Sequence, residues 1–392
     1  MAARRKTRLL LVAGARPNFV KIAPLISCLC VPDRAACTQT LLVHTGQHYD
    51  ETLSRLFFDQ LGIPRPDMNL EVPAASGSSH AQQTAEILMR FEPIVMEWKP
   101  QAVVVVGDVN STLACALVAA KLCVPVAHVE AGLRSFDRTM PEEINRLLTD
   151  AISEFLFASE PSGVVNLRSE GVPEEKIHLV GNVMIDSLRK FLPLARQSSA
   201  LRDFRLLSDS QPHANPRPFA LLTMHRPSNV DEKEKLATLL DVLAKLAEQI
   251  PVIFPAHPRT HERIERFGLA HKVRTDWTEA DRGVLLCPPI GYLEFLHLMG
   301  EATFVLTDSG GIQEETTVLG VPCLTLRENT ERPITVEEGT NTLVGTDPER
   351  ILSAAREILA GNGKKGRTPA LWDGQAADRI VSILLQRLAG NG

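Results

Sequence analysis

The sequence lacks an apolar run that could cross a membrane, and it lacks a surplus of basic residues. A membrane helix needs about 18–20 consecutive apolar residues, and no segment approaches that length. The first residues resemble a signal peptide, but their apolar part is short and Arg16 interrupts it, so a buried first strand explains them better. The formal net charge of -5 argues against a broad nucleic-acid surface. We therefore expect a soluble protein that binds neither membranes nor nucleic acid, with any phosphate recognition confined to a local site.

Cysteine is present, but not in the patterns that build a metal site or a disulfide framework. The seven cysteines are an odd number, are scattered, and never occur in CxxC spacing. We expect reduced, mostly buried thiols in a cytoplasmic protein. Cys28, Cys30 and Cys37 lie close enough in sequence to suggest a metal, but core packing is the favoured interpretation.

The signatures of several large enzyme classes are also missing. The loop after the first predicted strand lacks a complete GxGxxG, and the sequence has no GxxxxGK[ST] loop, no GxSxG elbow and no HExxH pair. These absences argue against a dinucleotide fingerprint, a P-loop NTPase, a serine hydrolase and a metalloprotease. The pairs His44 with His48 and His257 with His261 bring no further metal ligands, so we expect no structural metal.

What the sequence does contain is a regular alternation of short β-rich runs and helix-length amphipathic segments. This alternation is typical of parallel sheets covered by helices, and the length of 392 residues suggests about two or three domains. The predicted strands are 9–12, 40–44, 102–106, 124–129, 155–158, 219–223, 251–256, 284–286, 303–307 and 322–326. The predicted helices are 19–29, 80–98, 111–121, 142–151, 231–250, 310–319 and 375–388. The pattern thus predicts an α/β protein with two Rossmann-like domains.

The stretch before the second series of strands is rich in Ser, Asp, Asn, Pro and Arg and has weak periodicity, as expected of a linker. We expect a first domain at 1–188, a linker at 189–218, a second domain at 219–371 and a terminal helix within 372–392. Ligands of open α/β sheets bind outside the carboxyl ends of the strands. If the two sets of strand ends face each other, the active site lies between the domains.

Charged residues follow the first predicted strand. Arg16 and Lys21 lie in and just after the segment Gly-Ala-Arg-Pro-Asn, where they could bind a diphosphate. A solvated arginine and lysine at a helix start are the more common case. By itself this pair is therefore weak evidence for a site.

The segment Thr-Asp-Ser-Gly-Gly at 307–311 is more informative. A strand there runs into Ser309, Gly310 and Gly311 at a helix start, where free N–H groups and the helix dipole favour an anion. A plain helix cap by Asp308 or Ser309 is the alternative. With Glu315 available for ribose hydroxyls, phosphate binding is the favoured interpretation.

Three acids recur near the ends of first-domain strands. Asp108, Glu130 and Glu142 would each alone be read as a cap or a surface ion pair, but three at one edge suggest a site. Glu143, by contrast, is expected to pair with Arg146 on the next helical turn.

A histidine opens the corresponding loop of the second domain. His225 follows the predicted strand 219–223, where it could donate to a phosphate or act as an acid. A hydrogen-bonded structural histidine is equally compatible with this segment.

These segments together resemble the non-hydrolysing UDP-N-acetylglucosamine 2-epimerase family. The resemblance covers nearly the whole chain in order, which makes it far more specific than any single motif. The matching stretches are GARPNFVKIAPL (14–25), HTGQHYD (44–50), GDVNSTLA (107–114), HVEAGLRSFDRTMPEEINR (128–146), GNVMIDSL (181–188), TMHRPSN (223–229), TDSGGIQEE (307–315) and ENTERPITVEEGTN (328–341).

The resemblance implies the glycosyltransferase B fold, in which two Rossmann-like domains face each other across a cleft and the terminal helix crosses back to the first domain. It also implies a homodimer that binds a UDP-sugar, interconverts UDP-N-acetylglucosamine with UDP-N-acetylmannosamine, and needs no metal or nicotinamide cofactor. It assigns catalysis to Asp108, Glu130 and Glu142, with His225 at the diphosphate. The residues that it assigns to UDP-sugar binding are Arg16, Lys21, His225, Phe295, Ser309, Gly310, Gly311, Glu315 and Arg332.

The implied chemistry suits these residue types. Departure of UDP from C1 with loss of the C2 proton gives a bound glycal, which is then reprotonated on the other face. Such a reaction needs proton-transfer groups on both faces and stabilisation of charge at C1 and on the diphosphate. We expect neighbouring carboxylates to raise one another's pKa, so that one is an acid while another is a base.

Two positions depart from the family pattern. Val109 stands where threonine is expected and cannot donate a hydrogen bond, and Tyr49 stands where many bacterial relatives have arginine near a second, activating UDP-sugar site. The sequence therefore does not predict activation by substrate. Three alternatives stay open: a hydrolysing epimerase, a 2-epimerase of a diacetamido uronic acid UDP-sugar, and a non-catalytic nucleotide-sugar sensor.

Overall fold

The computed structural model describes residues 6–46, 62–72, 79–207, 215–276 and 282–389, and its strands form two parallel sheets. The strands of the first sheet are β1 (Thr7–Ala13), β2 (Thr38–His44), β3 (Met68–Asn69), β4 (Ala102–Val106), β5 (Val126–Ala131), β6 (Phe155–Ala158) and β7 (Ile177–Leu179). The strands of the second are β8 (Ala220–Thr223), β9 (Val252–Pro255), β10 (Val284–Cys287), β11 (Phe304–Thr307), β12 (Cys323–Thr325) and β13 (Asn341–Leu343).

Helices connect these strands in alternation. The α-helices up to the second sheet are α1 (Arg16–Leu29), α2 (Pro32–Cys37), α3 (His80–Trp98), α4 (Asn110–Lys121), α5 (Pro141–Ile152), α6 (Pro161–Ser169), α7 (Val183–Ala195) and α8 (Ala200–Asp203). The later α-helices are α9 (Pro227–Val230), α10 (Lys233–Leu246), α11 (Pro258–Arg266), α12 (Tyr292–Glu301), α13 (Gly310–Leu319), α14 (Pro333–Glu337), α15 (Pro348–Glu357) and α16 (Ala376–Ala389). None of these described helices is both long and apolar enough to span a bilayer.

The chain divides into two compact units: residues 1–187 with 370–392, and residues 188–369. In the first unit the strand order is β3-β2-β1-β4-β5-β6-β7, and every pairing is parallel. All five residues of β4 are buried, because helices cover both faces of a central parallel strand. The carboxyl ends of β1, β4 and β5 therefore adjoin at one edge of the sheet.

The segment after residue 370 belongs to the first unit. Helix α16 packs on α1, and the indole Nε1 of Trp372 donates to the carbonyl of Ser159 at 3.0 Å. The carboxylate of Asp186 accepts the N–H groups of Ala376 and Ala377 at 3.1 and 2.7 Å, so it satisfies two of the unpaired donors at the start of α16. These contacts anchor the terminal helix.

In the second unit the strand order is β10-β9-β8-β11-β12-β13, again all parallel. Helix α10 buries six apolar side chains in the core, which also includes residues of β8 and β11. Helix α13 begins directly after β11, and the loop after β8 lies beside it because β8 and β11 pair.

The prediction of two α/β units with parallel sheets is confirmed. Strands 102–106 and 155–158 and helices 80–98 and 310–319 have the predicted bounds. Within the stretch expected as a linker, the structure places the end of α7 and the short helix α8. The apolar segments there are too short for a helical period to be recognised in the sequence.

Cysteine burial differs from the expectation. Only Cys115 and Cys323 are buried, whereas Cys30, Cys37 and Cys123 are exposed. The exposed three lie at the end of α1, at the end of α2 and in the turn before β5, where the chain reaches the surface. The expectation of mostly buried thiols was therefore wrong.

Candidate functional site

The loop between β1 and α1 is fixed to the end of β4 by one buried asparagine. The side-chain oxygen of Asn18 accepts the N–H groups of Gly14 and Ala15 at 3.2 and 2.9 Å, and its Nδ2 donates to the carbonyl of Val106 at 3.0 Å. Arg16 begins α1 in this loop, but its side chain lies outside what the structure describes. The loop that carries Arg16 is thus held at the edge where β4 ends.

Lys21 lies one turn further along α1 and pairs with Glu130. The ammonium Nζ of Lys21 forms a salt bridge with Oε2 of Glu130, and both residues are buried, at 7% and 3% exposure. A Cβ added to Gly107 would lie 3.1 Å from this Nζ and 3.5 Å from Oε2 of Glu130. The ion pair therefore packs directly against the turn that follows β4.

Glu130 owes its orientation to an irregularity in β5. Its φ is +73°, a left-handed conformation that side chains other than glycine rarely adopt, and the register with β6 shifts between Val129 and Ala131. A bulge of this kind re-aims a side chain, at a cost of order 1–3 kcal/mol in backbone strain. The fold is therefore less stable by this strain energy, and in return the Glu130 carboxylate is held in one direction.

Asp108 is the second acid at this edge. Its carboxylate is 27% exposed, and Oδ2 lies 2.5 Å from Nη1 of the buried Arg146 in α5. Asn145, next to Arg146, donates from Nδ2 to the carbonyl of Asp108 at 2.9 Å. The second turn of α5 thus fixes both the backbone and the side chain of Asp108.

Glu143 holds the loop between β5 and α5. Its carboxylate accepts the N–H and hydroxyl of Ser135 at 2.9 and 3.0 Å and the N–H of Phe136 at 3.0 Å, and it pairs with Arg146 at 2.6 Å. Burial acts to raise the pKa of Glu143, but the N–H of Ser135 and the charge of Arg146 outweigh it and lower that pKa. The predicted pairing of Glu143 with Arg146 is confirmed, and Glu143 also stabilises Phe136 at a φ of +59°.

Glu142 lies in the first turn of α5, immediately before Glu143. It is half-buried, and within the described ranges no hydrogen bond or ion pair of its carboxylate is seen. The neighbours of the other two acids are cations, Lys21 for Glu130 and Arg146 for Asp108. The expected mutual rise in carboxylate pKa stays a prediction.

Of the two positions that depart from the family pattern, Val109 lies among the described residues and Tyr49 does not. Val109 occupies the N-cap position of α4 and its side chain makes no capping hydrogen bond, as its apolar character requires. Tyr49 and His48 lie outside the described residues.

In the second unit, Asp308 ties together the ends of β8 and β11. Its buried carboxylate accepts the N–H groups of His225 and Arg226 at 3.0 and 2.9 Å and the side-chain amide of Asn229 at 3.1 Å. Burial acts to raise the pKa of Asp308, but the hydrogen bonds and charge from His225 and the N–H of Arg226 outweigh it and lower that pKa. Asp308 therefore acts as a tether, and the N-cap position of α13 is occupied by Ser309, not by Asp308.

His225 is presented by this tether. Its Nδ1 lies 3.2 Å from Oδ1 of Asp308, and its side chain is 47% exposed. A carboxylate at Nδ1 orients an imidazole so that the other nitrogen, Nε2, points away from the carboxylate, and Nε2 donates when the ring is an imidazolium. The arrangement suits donation to an anion.

The start of α13 offers backbone donors beside His225. Ser309 is the N-cap residue and its side chain makes no capping hydrogen bond, while Ser309 and Gly311 are half-exposed. The first N–H groups of a helix have no partner within the helix, so they are available to an anion. The geometry agrees with anion binding better than with a plain cap.

Gly310 is required by a close arginine. A Cβ at this position would lie 2.3 Å from Nη1 of Arg332 and 2.7 Å from Oε1 of Glu331. Arg332 is held there by Glu314 at 2.7 Å and by Glu331 at 2.6 Å. The guanidinium is therefore fixed at the start of α13, where the dipole and the cation act together on a negative ligand.

Glu315 forms a separate polar pair with Tyr292. The phenol of Tyr292 donates to Oε1 of Glu315 at 3.1 Å, and the Tyr292 ring packs edge-on against Phe191. Burial raises the pKa of Glu315 to about 8; the Tyr292 hydrogen bond lowers it and the charge of Glu314 raises it. Phe295 follows Tyr292 by three residues in α12, so the two rings lie on the same side of that helix.

The structure groups the predicted residues in two sets. In the first unit it brings Lys21 and Glu130 to the turn that contains Asp108, and in the second it brings His225 and Arg332 to the start of α13. Tyr292 was not singled out from the sequence, although the GYLEF segment (291–295) includes it. Among the described residues, no group of three or more His, Cys, Asp or Glu side chains is arranged to hold a metal ion.

Comparison with known proteins gives matches over nearly the full chain. The family described as UDP-N-acetylglucosamine 2-epimerase matches residues 33–385. The UDP-N-acetylglucosamine 2-epimerase of Methanocaldococcus jannaschii is 41% identical over 381 residues, covering 96% of this chain and 98% of that protein. The UDP-2,3-diacetamido-2,3-dideoxy-D-glucuronate 2-epimerase of Pseudomonas aeruginosa is 40% identical, covering 96% and 99%.

A solved structure is also similar to this chain over nearly its full length. The crystal structure of the Methanocaldococcus jannaschii UDP-GlcNAc 2-epimerase in complex with UDP-GlcNAc and UDP superposes with a TM-score of 0.85 at 41% identity. The match covers 97% of this chain and 100% of that one.

Proposed function

Because this chain belongs to the UDP-N-acetylglucosamine 2-epimerase family, we propose that it interconverts UDP-N-acetylglucosamine and UDP-N-acetylmannosamine without net hydrolysis. The observation that carries this proposal is the pair of acids at adjoining strand ends of the first unit. Glu130 is buried and aimed by a strained backbone, and Asp108 is partly exposed and held by Arg146. A binding module has no need to maintain strain of this kind.

The reaction divides into elimination and re-addition. In elimination, a carboxylate takes the C2 proton while the C1–O bond breaks with its electrons going to the diphosphate of UDP. The resulting double bond between C1 and C2 makes a glycal. In re-addition, a carboxylic acid delivers a proton to the opposite face of C2, and the diphosphate oxygen bonds to C1. No atom or electron is gained or lost overall.

We assign the proton transfers to Asp108 together with Glu130 or Glu142. A positioned carboxyl group contributes about 10²–10⁴-fold to such a step. Glu130 is supported by its orientation, Asp108 by its partial exposure, and Glu142 by its place in the first turn of α5. The salt bridge from Lys21 holds the Glu130 carboxylate in place.

We assign binding of the UDP group to the second unit. The diphosphate, as it accepts charge, would be stabilised by His225, the hydroxyl of Ser309, the N–H groups of Gly310 and Gly311, and Arg332. Glu315 would accept hydrogen bonds from ribose hydroxyls, and Phe295 would lie against the uracil. We also propose that Arg16 and Lys21 of the first unit bind the UDP-sugar.

Incubation with UDP-N-acetylglucosamine in deuterated water tests the function. Deuterium at C2 of UDP-N-acetylglucosamine and UDP-N-acetylmannosamine is the expected result. Accumulation of free N-acetylmannosamine and UDP would show a hydrolysing enzyme. Binding without label would show a nucleotide-sugar sensor.

A second substrate is favoured by one comparison. The Pseudomonas aeruginosa relative named for a diacetamido glucuronate is 40% identical, close to the 41% of the relative named for UDP-N-acetylglucosamine. Competition between the two UDP-sugars in the exchange assay separates these candidates. A kcat/KM for UDP-N-acetylglucosamine at least tenfold higher supports the assignment made here.

We further propose that the protein is a cytoplasmic homodimer. Exposed apolar side chains on α3 and α5 of the first unit support self-association: Met89 is 63%, Met96 59% and Leu148 48% exposed. Sedimentation equilibrium should give twice the chain mass. A shift toward the monomer in Leu148→Glu, with Val165→Glu on α6 as the exposed control, would locate the interface.

A further inference from the structure

A buried histidine connects the two loops that carry the acids. His128 lies in β5, opposite Val105 of β4, and is 0% exposed. Its Nε2 lies 2.8 Å from the carbonyl oxygen of Gly107, the residue before Asp108. The N–H of Gly107 donates to the carbonyl of Val129 at 3.0 Å, so β5 holds the Gly107 peptide groups on both sides.

The other ring nitrogen faces a buried carboxylate. Nδ1 of His128 lies 2.6 Å from Oδ1 of Asp150 in α5. The second oxygen of Asp150 accepts the N–H of Gly132 at 3.0 Å and pairs with Arg134 at 2.8 Å. Gly132 follows Glu130 by two residues, so Asp150 fixes the loop after Glu130 while it holds His128.

The two partners of His128 determine its hydrogen-bonding state. A carbonyl oxygen and a carboxylate both accept hydrogen bonds, so both ring nitrogens must donate, as only the imidazolium does. Burial acts to raise the pKa of Asp150, but His128 and Arg134 outweigh it and lower that pKa. The cations His128 and Arg134 are balanced by Asp150 and by Glu170, which pairs with Arg134 at 2.7 Å.

The alternative of a neutral ring fits the geometry poorly. With a proton only on Nδ1, the lone pair of Nε2 would face the lone pairs of the Gly107 carbonyl at 2.8 Å. A buried contact of that kind loses a hydrogen bond and adds repulsion. The observed distances are those of two donated bonds.

We propose that His128 is a positioning residue that fixes the Gly107–Asp108 turn, and through Asp150 the loop after Glu130, for proton transfer at C2. The proposal rests on the assignment of these acids made above. In this role, the hydrogen bond from Nε2 of His128 to the carbonyl of Gly107 sets the direction of the Asp108 side chain. A displacement of a reacting group by about 1 Å is enough to cost on the order of 10²-fold in rate.

Two substitutions of this histidine separate its two bonds. In His128→Gln the amide nitrogen reaches the place of Nε2 and keeps the bond to Gly107. In His128→Asn it reaches only the place of Nδ1 and keeps the bond to Asp150. Both remove the ring and its charge, and the two replacements differ by one methylene group.

The C2 exchange rate in deuterated water is the readout. We expect His128→Asn to lower kcat by about 10- to 100-fold with KM and UDP affinity changed less than twofold. We expect His128→Gln to retain at least tenfold more kcat than His128→Asn. Equal kcat in the two variants would overturn the proposal, because a purely structural histidine has no preference between them.

A double-mutant cycle tests whether His128 acts through Asp108. Adding His128→Asn to Asp108→Asn is expected to lower kcat less than twofold further, because the group that it positions has already been removed. If the two losses in kcat multiply in the double variant, the histidine acts independently of Asp108, and this result would also overturn the proposal.

Two controls keep the test interpretable. Should His128→Asn not fold, Asp150→Asn replaces it, since the neutral partner leaves the ring with one proton and is expected to lower kcat to a similar extent. Wild-type protein without C2 exchange would disprove the proposed function itself. Wild-type exchange with equal His128 variants would disprove the positioning role alone.

Discussion

The two units place polar groups at the carboxyl ends of their sheets by different means. In the first unit, residues in left-handed conformations surround the acids: Gly107, Glu130, Gly132 and Phe136 have φ values between +59° and +82°. In the described segments 223–230 and 307–316 of the second unit, which run from a strand end into a helix, no residue has a positive φ. There the donors are ordinary backbone N–H groups at a helix start.

The difference follows from what each unit has to do. An anion is satisfied by groups that every helix start provides, so the second unit needs only a tether, Asp308, and a fixed cation, Arg332. A proton transfer at one carbon needs a carboxylate in one direction, which a regular strand does not supply. Under the function proposed above, strain in the first unit accompanies the proton-transfer residues, and its absence in the second unit accompanies the residues assigned to binding.

Removing one strained acid should give the largest effect. Glu130→Gln keeps the size of the side chain but cannot take or give a proton at C2. We expect the C2 exchange rate to fall about 10²–10⁴-fold, with UDP affinity changed less than threefold. A parallel loss of UDP affinity by calorimetry would show that the two units do not divide the work in this way.

Removing the cation beside that acid should reduce stability. Lys21→Met leaves a carboxylate that is 2% exposed without its salt bridge, and we expect unfolding to become easier by ~3 kcal/mol. Lys21→Met with Glu130→Gln should recover most of this loss. The control is Lys176→Met, whose partner Glu154 is half-exposed at 52%, and which should cost under about 1 kcal/mol. Equal losses in urea unfolding would contradict the buried pairing.

The pH dependence of binding tests the second unit. Burial raises the pKa of Glu315 to about 8, so the free protein holds this proton near neutrality. Ribose hydroxyls donate to the ionised carboxylate, so binding favours proton loss and affinity should rise as pH increases from 6 to 8. We expect roughly a 10- to 50-fold decrease in Kd for UDP-N-acetylglucosamine over that interval.

The matched control for this titration is Glu315→Gln, which has no proton to lose. Its Kd should change less than threefold between pH 6 and 8. UDP-N-acetylglucosamine is preferred to UDP as the probe, because a terminal phosphate titrates near pH 6. A wild-type Kd that does not vary with pH would remove Glu315 from the ribose.

A methyl group at the start of α13 should have the smallest effect. In Gly310→Ala the new Cβ would lie 2.3 Å from Nη1 of Arg332, so the guanidinium has to shift from the place where Glu314 and Glu331 hold it. We expect UDP affinity to fall about tenfold with little change in stability. Gly300→Ala in α12 meets nothing within 4 Å and should leave UDP affinity unchanged.

The fold was predictable because local signals agreed with it. Helix α3 has the predicted bounds: Ser79 caps it and accepts the N–H of Gln82 at 3.2 Å, and apolar residues repeat along it up to Trp98. The strand 102–106 is a continuous apolar run, as a buried parallel strand requires. The short helix α8 gave no such signal, because four residues do not establish a period.

The site was predictable in composition but not in geometry. The bulge at Glu130 depends on how β5 pairs with β6, which neither segment reveals alone. The tether at Asp308 spans 83 residues to His225, and it depends on β8 lying next to β11. The role of His128 likewise depends on Gly107 and Asp150, 21 and 22 residues away.

The anchoring of α16 on the first unit has a consequence for synthesis on the ribosome. The surface of α1 and the carboxylate of Asp186 contact α16, and the residues of α16 are translated after the entire second unit. At about 5–20 residues per second, the roughly 190 residues in between take some ten to forty seconds. During that interval the nascent first unit exposes apolar surface, so chaperone binding to ribosome-bound chains should persist until α16 emerges.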